Sequence, residues 1–302
     1  MSRSTVLGFA FVVASAFFFA VSGPVAKALY GAGWTPGSVV LLRLVGSALL
    51  LAIPTLVALH RRWGLVRRHA QLLLVYGVVC MAGMQGTYFV AVQHLSVAVA
   101  LLLQMMGAPL IIVGWLWART RRRPAAITVV GIVVSLLGVL LVLDLRGATL
   151  SGFGVAAALA SAACLAVYFF VSSHQSNPIP PIAFTGLGML VGALAIGAAV
   201  GAGAMPGRFV ASGVDFAGAV VAWWVPAGLL VVFTVGAYVC GIVGLRHIGA
   251  TVGSFLNLVE VPFSALAAWL ILAEALTPAQ VAGGVVILAG TVFVKLGDSR
   301  FT

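Results

Sequence analysis

Ten long apolar runs, separated by short clusters of glycine, proline and arginine, constrain this chain more than any other feature. A helix needs about 20 apolar residues to cross the hydrocarbon core of a bilayer, and each run reaches or approaches that length. Of the 302 residues, 63% are hydrophobic and only 7% charged, which excludes a soluble cytosolic protein because such domains are about a quarter charged. The runs cover residues 6–26, 38–59, 71–93, 96–117, 125–143, 152–173, 180–202, 221–245, 250–272 and 278–296.

The runs are predicted to be helices because a membrane span must satisfy all its backbone hydrogen bonds internally. Continuous apolar runs do not fit the alternating pattern of a β-barrel. The stretches between them are too short for a soluble domain of about 50 residues or more. The sequence therefore predicts an all-α, multi-pass protein of the cell inner (plasma) membrane with ten transmembrane helices and the lipid bilayer as its surroundings.

The net charge of +11 follows from cationic residues in short loops, so it indicates membrane topology and not a nucleic-acid partner. With the N-terminus in the cytoplasm, twelve Lys and Arg residues fall on the cytoplasmic side and three on the other. This asymmetry predicts that both termini are cytoplasmic. The cytoplasmic set is Arg3, Arg61, Arg62, Arg67, Arg68, Arg119, Arg121, Arg122, Arg123, Arg246, Lys295 and Arg300, and the outer set is Lys27, Arg146 and Arg208.

The two halves of the chain resemble each other. The segment QHLSVAVALLLQMMGAPL, from Gln93, aligns without gaps with RHIGATVGSFLNLVEVPF, from Arg246. The alignment places His94 on His247, Gln104 on Asn257 and Pro109 on Pro262. We divide the chain into five-helix repeats at residues 1–146 and 147–302. Because five is odd, the repeats must be inverted relative to each other, an architecture typical of secondary transporters with a site near the midplane.

Several strings point to a known family. Residues 250–294 contain Glu260-x-Pro262, then Glu274, then a Thr-Pro pair at 277–278 that opens a glycine-rich last helix. The first half has Lys27 late in its first run and Arg43 early in its second. On these residues the chain resembles the EamA-type branch of the drug/metabolite transporter superfamily. The resemblance implies export of small metabolites, amino acids or drugs across an inner membrane, or sometimes their uptake.

This chain departs from the family pattern in two places. After the fourth run it has Trp117-Ala118-Arg119 where an acidic residue is usual, and Ala273 stands before Glu274 where glycine is common. Both departures leave the expected fold intact. They argue against transferring the substrate of any one member.

Glu260 is the first candidate for a transport residue, because a carboxylate deep in a membrane span is costly and usually faces a cavity or a partner. On one continuous helix, Asn257 and Glu260 would share a face. Glu260 could couple transport to protons or bind a cationic group. It could also be structural, either hydrogen-bonded beside Pro262 or ion-paired with Arg43.

Two basic residues are candidates for a substrate carboxylate. Arg43 can bind a carboxylate through two parallel hydrogen bonds. Lys27 can also bind one, or it can extend to the interface with its charge in water.

Amides and tyrosines complete the candidate site. Gln104 aligns with Asn257, and Gln85 aligns with Tyr238, so a central site from four helices is one interpretation. Hydrogen bonds between helices are the alternative for these amides. Tyr88 and Tyr168 could form an aromatic wall, although a tyrosine inside a bundle more often packs with one satisfied hydroxyl.

Other chemistry has no signature here. No phosphate-binding Gly-x-x-x-x-Gly-Lys sequence, His-Glu-x-x-His sequence or metal-ligand cysteine spacing occurs, so we expect no enzyme, no metal and no cofactor. We expect a secondary transporter for a small molecule, with amino acids or related amphiphiles as cargo, export as the direction, and protons as a candidate coupling ion. A multidrug or cationic-compound exporter is the alternative. A sensor or assembly protein without transport is less favoured because it usually brings soluble domains.

Overall fold

The computed structural model describes residues 3–95, 97–121, 124–142, 151–174, 177–272 and 277–298. Each of the ten apolar runs falls on helix over most of its length, as expected for chain that must satisfy its own backbone. The first half contains α1 Arg3–Gly31, α2 Pro36–Leu50, α3 Ala52–Ala58, α4 Trp63–Arg68, α5 Ala70–Leu74, a π-helical segment Val75–Gly83, α6 Met84–His94, α7 Val97–Thr120 and α8 Ala126–Val142. The second contains α9 Gly152–Ser173, α10 Pro181–Gly201, α11 Trp224–Asn257, α12 Glu260–Leu272 and α13 Pro278–Asp298.

Six helices in the described ranges are long and apolar enough to cross a membrane, and the bent pair α2–α3 would make a seventh. The number is lower than the predicted ten because three apolar helical segments are shorter: Ala126–Val142, Glu260–Ile271 and Pro278–Val294. The protein is therefore a mostly helical, multi-pass membrane protein. The predicted boundary between residues 146 and 147, and Glu274, lie outside the described residues.

Proline and glycine account for the bends. Proline has no amide hydrogen, and its ring collides with the carbonyl four residues earlier. Pro54 lies in the first turn of α3, and the chain bends by 45° between α2 and α3. Gly249 lies inside α11 with φ 78° and ψ 170°, a conformation that glycine adopts without steric cost. The helix α11 therefore joins two of the predicted spans across a kink.

Helices α8 and α13 pack with their backbones in contact. A Cβ atom on Gly131 would lie 2.8 Å from the Gly290 carbonyl oxygen, and one on Gly138 would lie 2.9 Å from the Gly283 carbonyl oxygen. Residue numbers rise along one helix as they fall along the other, so the pair is antiparallel. Such close approach between small residues is a common way for helices to associate in a bilayer.

The two histidines that align in the sequence repeat each contact a glycine near the start of the other half's first helix. In α11, the Cβ of His247 lies 2.6 Å from the position of a Cβ on Gly8 of α1. In α6, the Cβ of His94 lies 2.9 Å from the position of a Cβ on Gly154 of α9. Each half thus packs its first helix, antiparallel, on a helix of the other half.

A β-hairpin precedes α11, which the sequence analysis did not predict. Strands β1 Gly213–Phe216 and β2 Ala219–Ala222 pair antiparallel. The turn residues Ala217 and Gly218 both have positive φ, 53° and 79°, as in the tight turns that match strand twist. The segment before the hairpin contacts the connection between α1 and α2. The Trp34 indole Nε1 in that connection donates to the Val210 carbonyl at 2.8 Å.

Substituting Gly290 with alanine is expected to destabilise the protein. The new methyl group would meet the Ser135 amide nitrogen at 2.5 Å and the Gly131 carbonyl oxygen at 2.8 Å, and backbone atoms cannot rotate away. We expect a loss of about 1–3 kcal/mol, measured by thermal unfolding of the purified protein in detergent. The matched control is Gly228→Ala in α11, which meets no atom within 4 Å and should hold or raise stability because alanine favours helix. Equal melting temperatures for the two variants would contradict the α8–α13 contact.

Candidate functional site

The helix is interrupted between Asn257, the last residue of α11, and Glu260, the first residue of α12. The amides of Leu258 and Val259 donate to carbonyls three residues earlier, at 3.1 Å each, so the chain tightens there before α12 begins. Pro262 lies in the first turn of α12, where its missing amide hydrogen is tolerated. The prediction of one continuous helix over 250–272 is therefore wrong.

Asn257 and Glu260 are nevertheless adjacent. The Asn257 side-chain amide Nδ2 donates to the Glu260 Oε2 at 3.0 Å across the break. Asn257 is buried and Glu260 half-buried. A carboxylate in the first turn of a helix is stabilised by the positive end of the helix dipole. The break thus provides Glu260 with an amide donor and a helix N-terminus.

Arg43 lies across from this break. Its Nε donates to the Thr234 Oγ1 at 3.1 Å, and that hydroxyl donates to the Leu230 carbonyl at 2.6 Å. The Arg43 guanidinium interacts electrostatically with Glu260. The structure contains no salt bridge between these two described residues, so the alternative of an Arg43–Glu260 ion pair is wrong. Two groups of opposite charge therefore lie inside the bundle without forming a salt bridge.

Four tyrosines lie within electrostatic range of the pair. Glu260 interacts electrostatically with Tyr88, Tyr168 and Tyr238. Tyr30 interacts with Arg43 and with Tyr88. These tyrosines belong to α1, α6, α9 and α11.

An aromatic row continues from this region through the bundle. The Tyr238 ring packs edge-on against Phe19, with centroids 4.8 Å apart, and against Tyr168 at 5.6 Å. Tyr168 stacks on Tyr76 at 6.2 Å, and Tyr76 packs on Phe184 at 4.4 Å. Tyr168 therefore packs on Tyr76 and Tyr238, which is the packing interpretation, and an aromatic wall with Tyr88 stays a prediction.

Tyr76 and Thr234 were not among the site residues predicted from the sequence. A signal for Tyr76 was available, because the chain has 17 phenylalanines but only five tyrosines, and a hydroxyl in an apolar span needs a partner. Thr234 had no comparable signal, since a helical threonine can bond its own backbone. Its hydrogen bond to Arg43 depends on how α2 packs on α11.

Of the predicted amides, Asn257 bonds to Glu260, whereas Gln104 and Gln85 bond elsewhere. The Gln104 Nε2 donates to the Ser161 hydroxyl at 2.7 Å, and that hydroxyl donates to the Met84 carbonyl at 2.7 Å. These buried bonds join α7, α9 and α6, which is the helix-to-helix alternative. The Gln85 Nε2 donates to the Met81 carbonyl of its own helix at 3.2 Å.

Lys27 and Tyr88 occupy different surroundings. The Lys27 side chain is exposed near the end of α1, which fits the interfacial alternative and separates it from the buried site. Tyr88 is half-buried and packs with apolar residues of α6, α7 and α9, while its hydroxyl end remains in electrostatic range of Glu260.

Two cavities occur at the periphery. One, of about 550 Å³, is lined by Arg61, Arg62, Gly64, Leu65 and Pro178. The other, of about 220 Å³, lies between α12 and α13 beside Pro262 and Gly284. Neither is lined by Glu260, Arg43 or a tyrosine. Among the described residues, no group of three His, Cys, Asp or Glu side chains could hold a metal ion.

Comparison with known proteins finds a matching family, a related sequence and similar solved structures. The model of the EamA-like transporter family matches residues 6–144 and 152–296. A Bacillus subtilis (strain 168) protein described as the uncharacterized transporter YwfM is 32% identical over 187 residues, which are 61% of this chain and 61% of that protein. A solved crystal structure superimposes with a TM-score of 0.72 over 98% of both chains at 18% identity, a likeness of fold alone.

Removing the Ser161 hydroxyl is expected to destabilise the protein. In Ser161→Ala, the buried Gln104 amide loses its acceptor and the Met84 carbonyl loses a donor, at a cost of about 1–3 kcal/mol. Thermal unfolding in detergent measures the loss. Ser173→Ala is the matched control, because the Ser173 hydroxyl bonds only to Phe170 of its own helix and its removal should change stability little. If the Ser161→Ala variant were as stable as the wild type, the structural role assigned to Gln104 would be wrong.

Proposed function

Because the chain belongs to the EamA-like transporter family, we propose that it is a secondary transporter that moves small metabolites across the cell inner membrane by alternating access. Amino acids or related amphiphiles are the best-fitting cargo, and export is the proposed direction. The chain would act as a carrier and not as an enzyme. The charged pair at the helix break is the observation that carries this proposal.

We propose ten spans arranged as two inverted repeats, residues 1–146 and 147–302, with both termini in the cytoplasm. The antiparallel pairs support this arrangement, because His247 contacts Gly8 of α1 and its aligned residue His94 contacts Gly154 of α9. The ten helical runs also support it. The shorter helices would cross where the bilayer adapts to their length.

A broken helix with polar side chains at the break is a common form of substrate site in such carriers. Asn257 and Glu260 occupy the break, and Arg43 approaches from α2. Irregular backbone at membrane depth is tolerated where it is buried in protein or lines a cavity. The buried pair Leu258 and Val259 fits a site that is closed in this structure and opens to one side at a time.

The charges favour a solute that carries both signs. Glu260 can bind an ammonium group, and Arg43 can bind a carboxylate through parallel hydrogen bonds. Because the two groups are not in contact, a zwitterion could bind between them, with its ammonium group on Glu260 and its carboxylate on Arg43. The aromatic row beside them would receive an apolar portion of the same solute.

A cationic drug is the second candidate cargo. Glu260 alone would hold its charge, and Tyr168 and Tyr238 would attract it through their ring faces. This candidate leaves Arg43 without a role. Protons are the proposed coupling ion in either case, with Glu260 as their binding group.

Flux into liposomes tests the function. The purified protein is assayed with a panel of amino acids and one cationic dye, with and without an imposed pH gradient. We expect gradient-driven flux of an amino acid that Glu260→Gln abolishes, because an amide cannot exchange a proton. Arg43→Gln should raise the KM for the carboxylated solute and leave any dye flux unchanged.

The matched control is Lys27→Gln, which removes an exposed positive charge and should retain wild-type flux. Melting temperatures confirm that each variant is folded. Dye flux without amino-acid flux would favour the second cargo. Gradient-driven flux that survives Glu260→Gln would contradict proton coupling through this residue, and wild-type protein that moves no compound of the panel would count against the proposed cargo classes.

A further inference from the structure

The larger peripheral cavity lies where α3 ends and where α4 and α10 begin. Its volume is about 550 Å³, and it is lined by Arg61, Arg62, Gly64, Leu65 and Pro178. We call this space the arginine cavity. Sites for small molecules in proteins occupy about 300–1,000 Å³, so the cavity is large enough for a ligand or for the headgroup of a lipid.

The wall of the cavity at Pro178 is held by hydrogen bonds on both sides of the next residue. The Ile179 amide donates to the Asn177 Oδ1 at 3.1 Å, across Pro178. The Ile179 carbonyl accepts a hydrogen bond from the Arg246 guanidinium at 3.0 Å, and Ile179 itself is fully buried. This wall is therefore anchored to α11 and to the core of the bundle.

Two consecutive arginines give the opposite wall its positive charge. Arg61 and Arg62 are both exposed. Arg61 has φ 60°, a left-handed conformation that is uncommon for any residue other than glycine, so the chain turns sharply between α3 and α4. The first acidic residue of the whole chain is Asp144, and the loop therefore contains no carboxylate that neutralises these arginines. Their charge is available to an anionic ligand.

An exposed apolar surface begins directly beside the arginine cavity. In α3, Ile53, Leu56 and Val57 are 73%, 56% and 71% exposed. Helix α10 packs beside α3, where Gly186 lies against the Thr55 side chain. Large apolar side chains exposed as a contiguous patch mark a surface that contacts a membrane or a partner. In a multi-pass membrane protein, acyl chains of lipids cover such a face.

Trp63 indicates the depth of the cavity in the membrane. It is the first residue of α4 and is 46% exposed. Tryptophan is enriched where the bilayer meets water, with its ring at the level of the lipid headgroups. Leu65 and Val66, in the same short helix, pack against the hydrophobic core. The arginine cavity is therefore expected at the level where the phosphates of the lipids lie.

We propose that the arginine cavity binds the phosphate headgroup of an anionic phospholipid, whose acyl chains lie along the exposed face of α3. Arginine suits this ligand because its planar guanidinium donates two parallel hydrogen bonds to a phosphate and is more weakly hydrated than the lysine ammonium group. Basic pockets between membrane helices bind anionic lipid headgroups in this way. The site shares no residue with the charged pair at the helix break and does not depend on the proposed transport function.

Native mass spectrometry of the purified protein in dodecyl maltoside measures the binding. Phosphatidylglycerol and phosphatidylethanolamine with identical acyl chains are added at equal concentrations. Both lipids contain a phosphate, but only phosphatidylglycerol carries a net negative charge. We expect phosphatidylglycerol to bind the wild-type protein at least about fivefold more tightly. Equal binding of the two lipids would overturn the proposal without any variant.

The double variant Arg61→Gln/Arg62→Gln tests the site itself. Its affinity for phosphatidylglycerol should fall about 10–30-fold, because each arginine near the membrane surface contributes about fivefold. Its melting temperature without lipid should match that of the wild type, since both side chains are exposed. If the double variant does not fold, each single substitution provides the same test with about a fivefold loss.

The matched control is the double variant Arg67→Gln/Arg68→Gln. It removes the same charge from two exposed residues of the same loop that are not among the residues lining the cavity. Its affinity for phosphatidylglycerol should stay close to that of the wild type. An equal loss in both double variants would show attraction by general surface charge and would overturn the site, as would unchanged binding in Arg61→Gln/Arg62→Gln.

Glycerol 1-phosphate distinguishes a lipid from a soluble phosphate compound. It contains the phosphate of the headgroup but no acyl chains. Because the exposed face of α3 contributes to lipid binding, glycerol 1-phosphate should not displace phosphatidylglycerol when the two are present at equal concentrations. Displacement under that condition would assign the cavity to soluble phosphate compounds and overturn the assignment to a lipid.

Discussion

The missing amide hydrogen of Pro262 is the constraint on which the candidate site depends. This proline favours a break between Ala250 and Leu272, because one backbone hydrogen bond is lost and the proline ring collides with the carbonyl four residues earlier. The chain tightens at Leu258 and Val259 and starts a new helix at Glu260. A carboxylate is therefore held at a helix N-terminus, deep in the bundle, by the backbone as well as by Asn257.

The corresponding proline in the first half has a different outcome. Pro109 lies inside α7, which continues from Val97 to Thr120. Here the aligned amide, Gln104, bonds through Ser161 to Met84 and holds three helices together. One half of the sequence repeat thus provides a rigid junction, whereas the other provides a break with a charge. The same residue pattern is compatible with a continuous helix and with an interrupted one. A proline permits an interruption, and the neighbouring side chains decide whether the helix is interrupted.

The sequence predicted the helices well and the site only in part. The run 152–173 coincides with α9, because apolar length and the flanking loops fix the ends of a helix in a bilayer. Glu260 and Arg43 could be identified as candidates, since deep charges are rare and costly. The hairpin at 213–222, the break at Leu258 and the partner of Gln104 could not. They depend on which helices pack together, and periodicity along one helix does not contain that information.

The distribution of hydroxyls leads to the same region of the molecule as the charges do. Phenylalanine would fill the space of Tyr76, Tyr168 or Tyr238 with the same aromatic contacts and without a buried hydroxyl. The chain uses phenylalanine freely elsewhere, including Phe19 and Phe184 at the two ends of the same aromatic row. Stability alone would therefore favour phenylalanine at all three positions. The aromatic contacts of the row therefore account for the three rings and not for their hydroxyls, which are buried without a hydrogen-bond partner in the described chain.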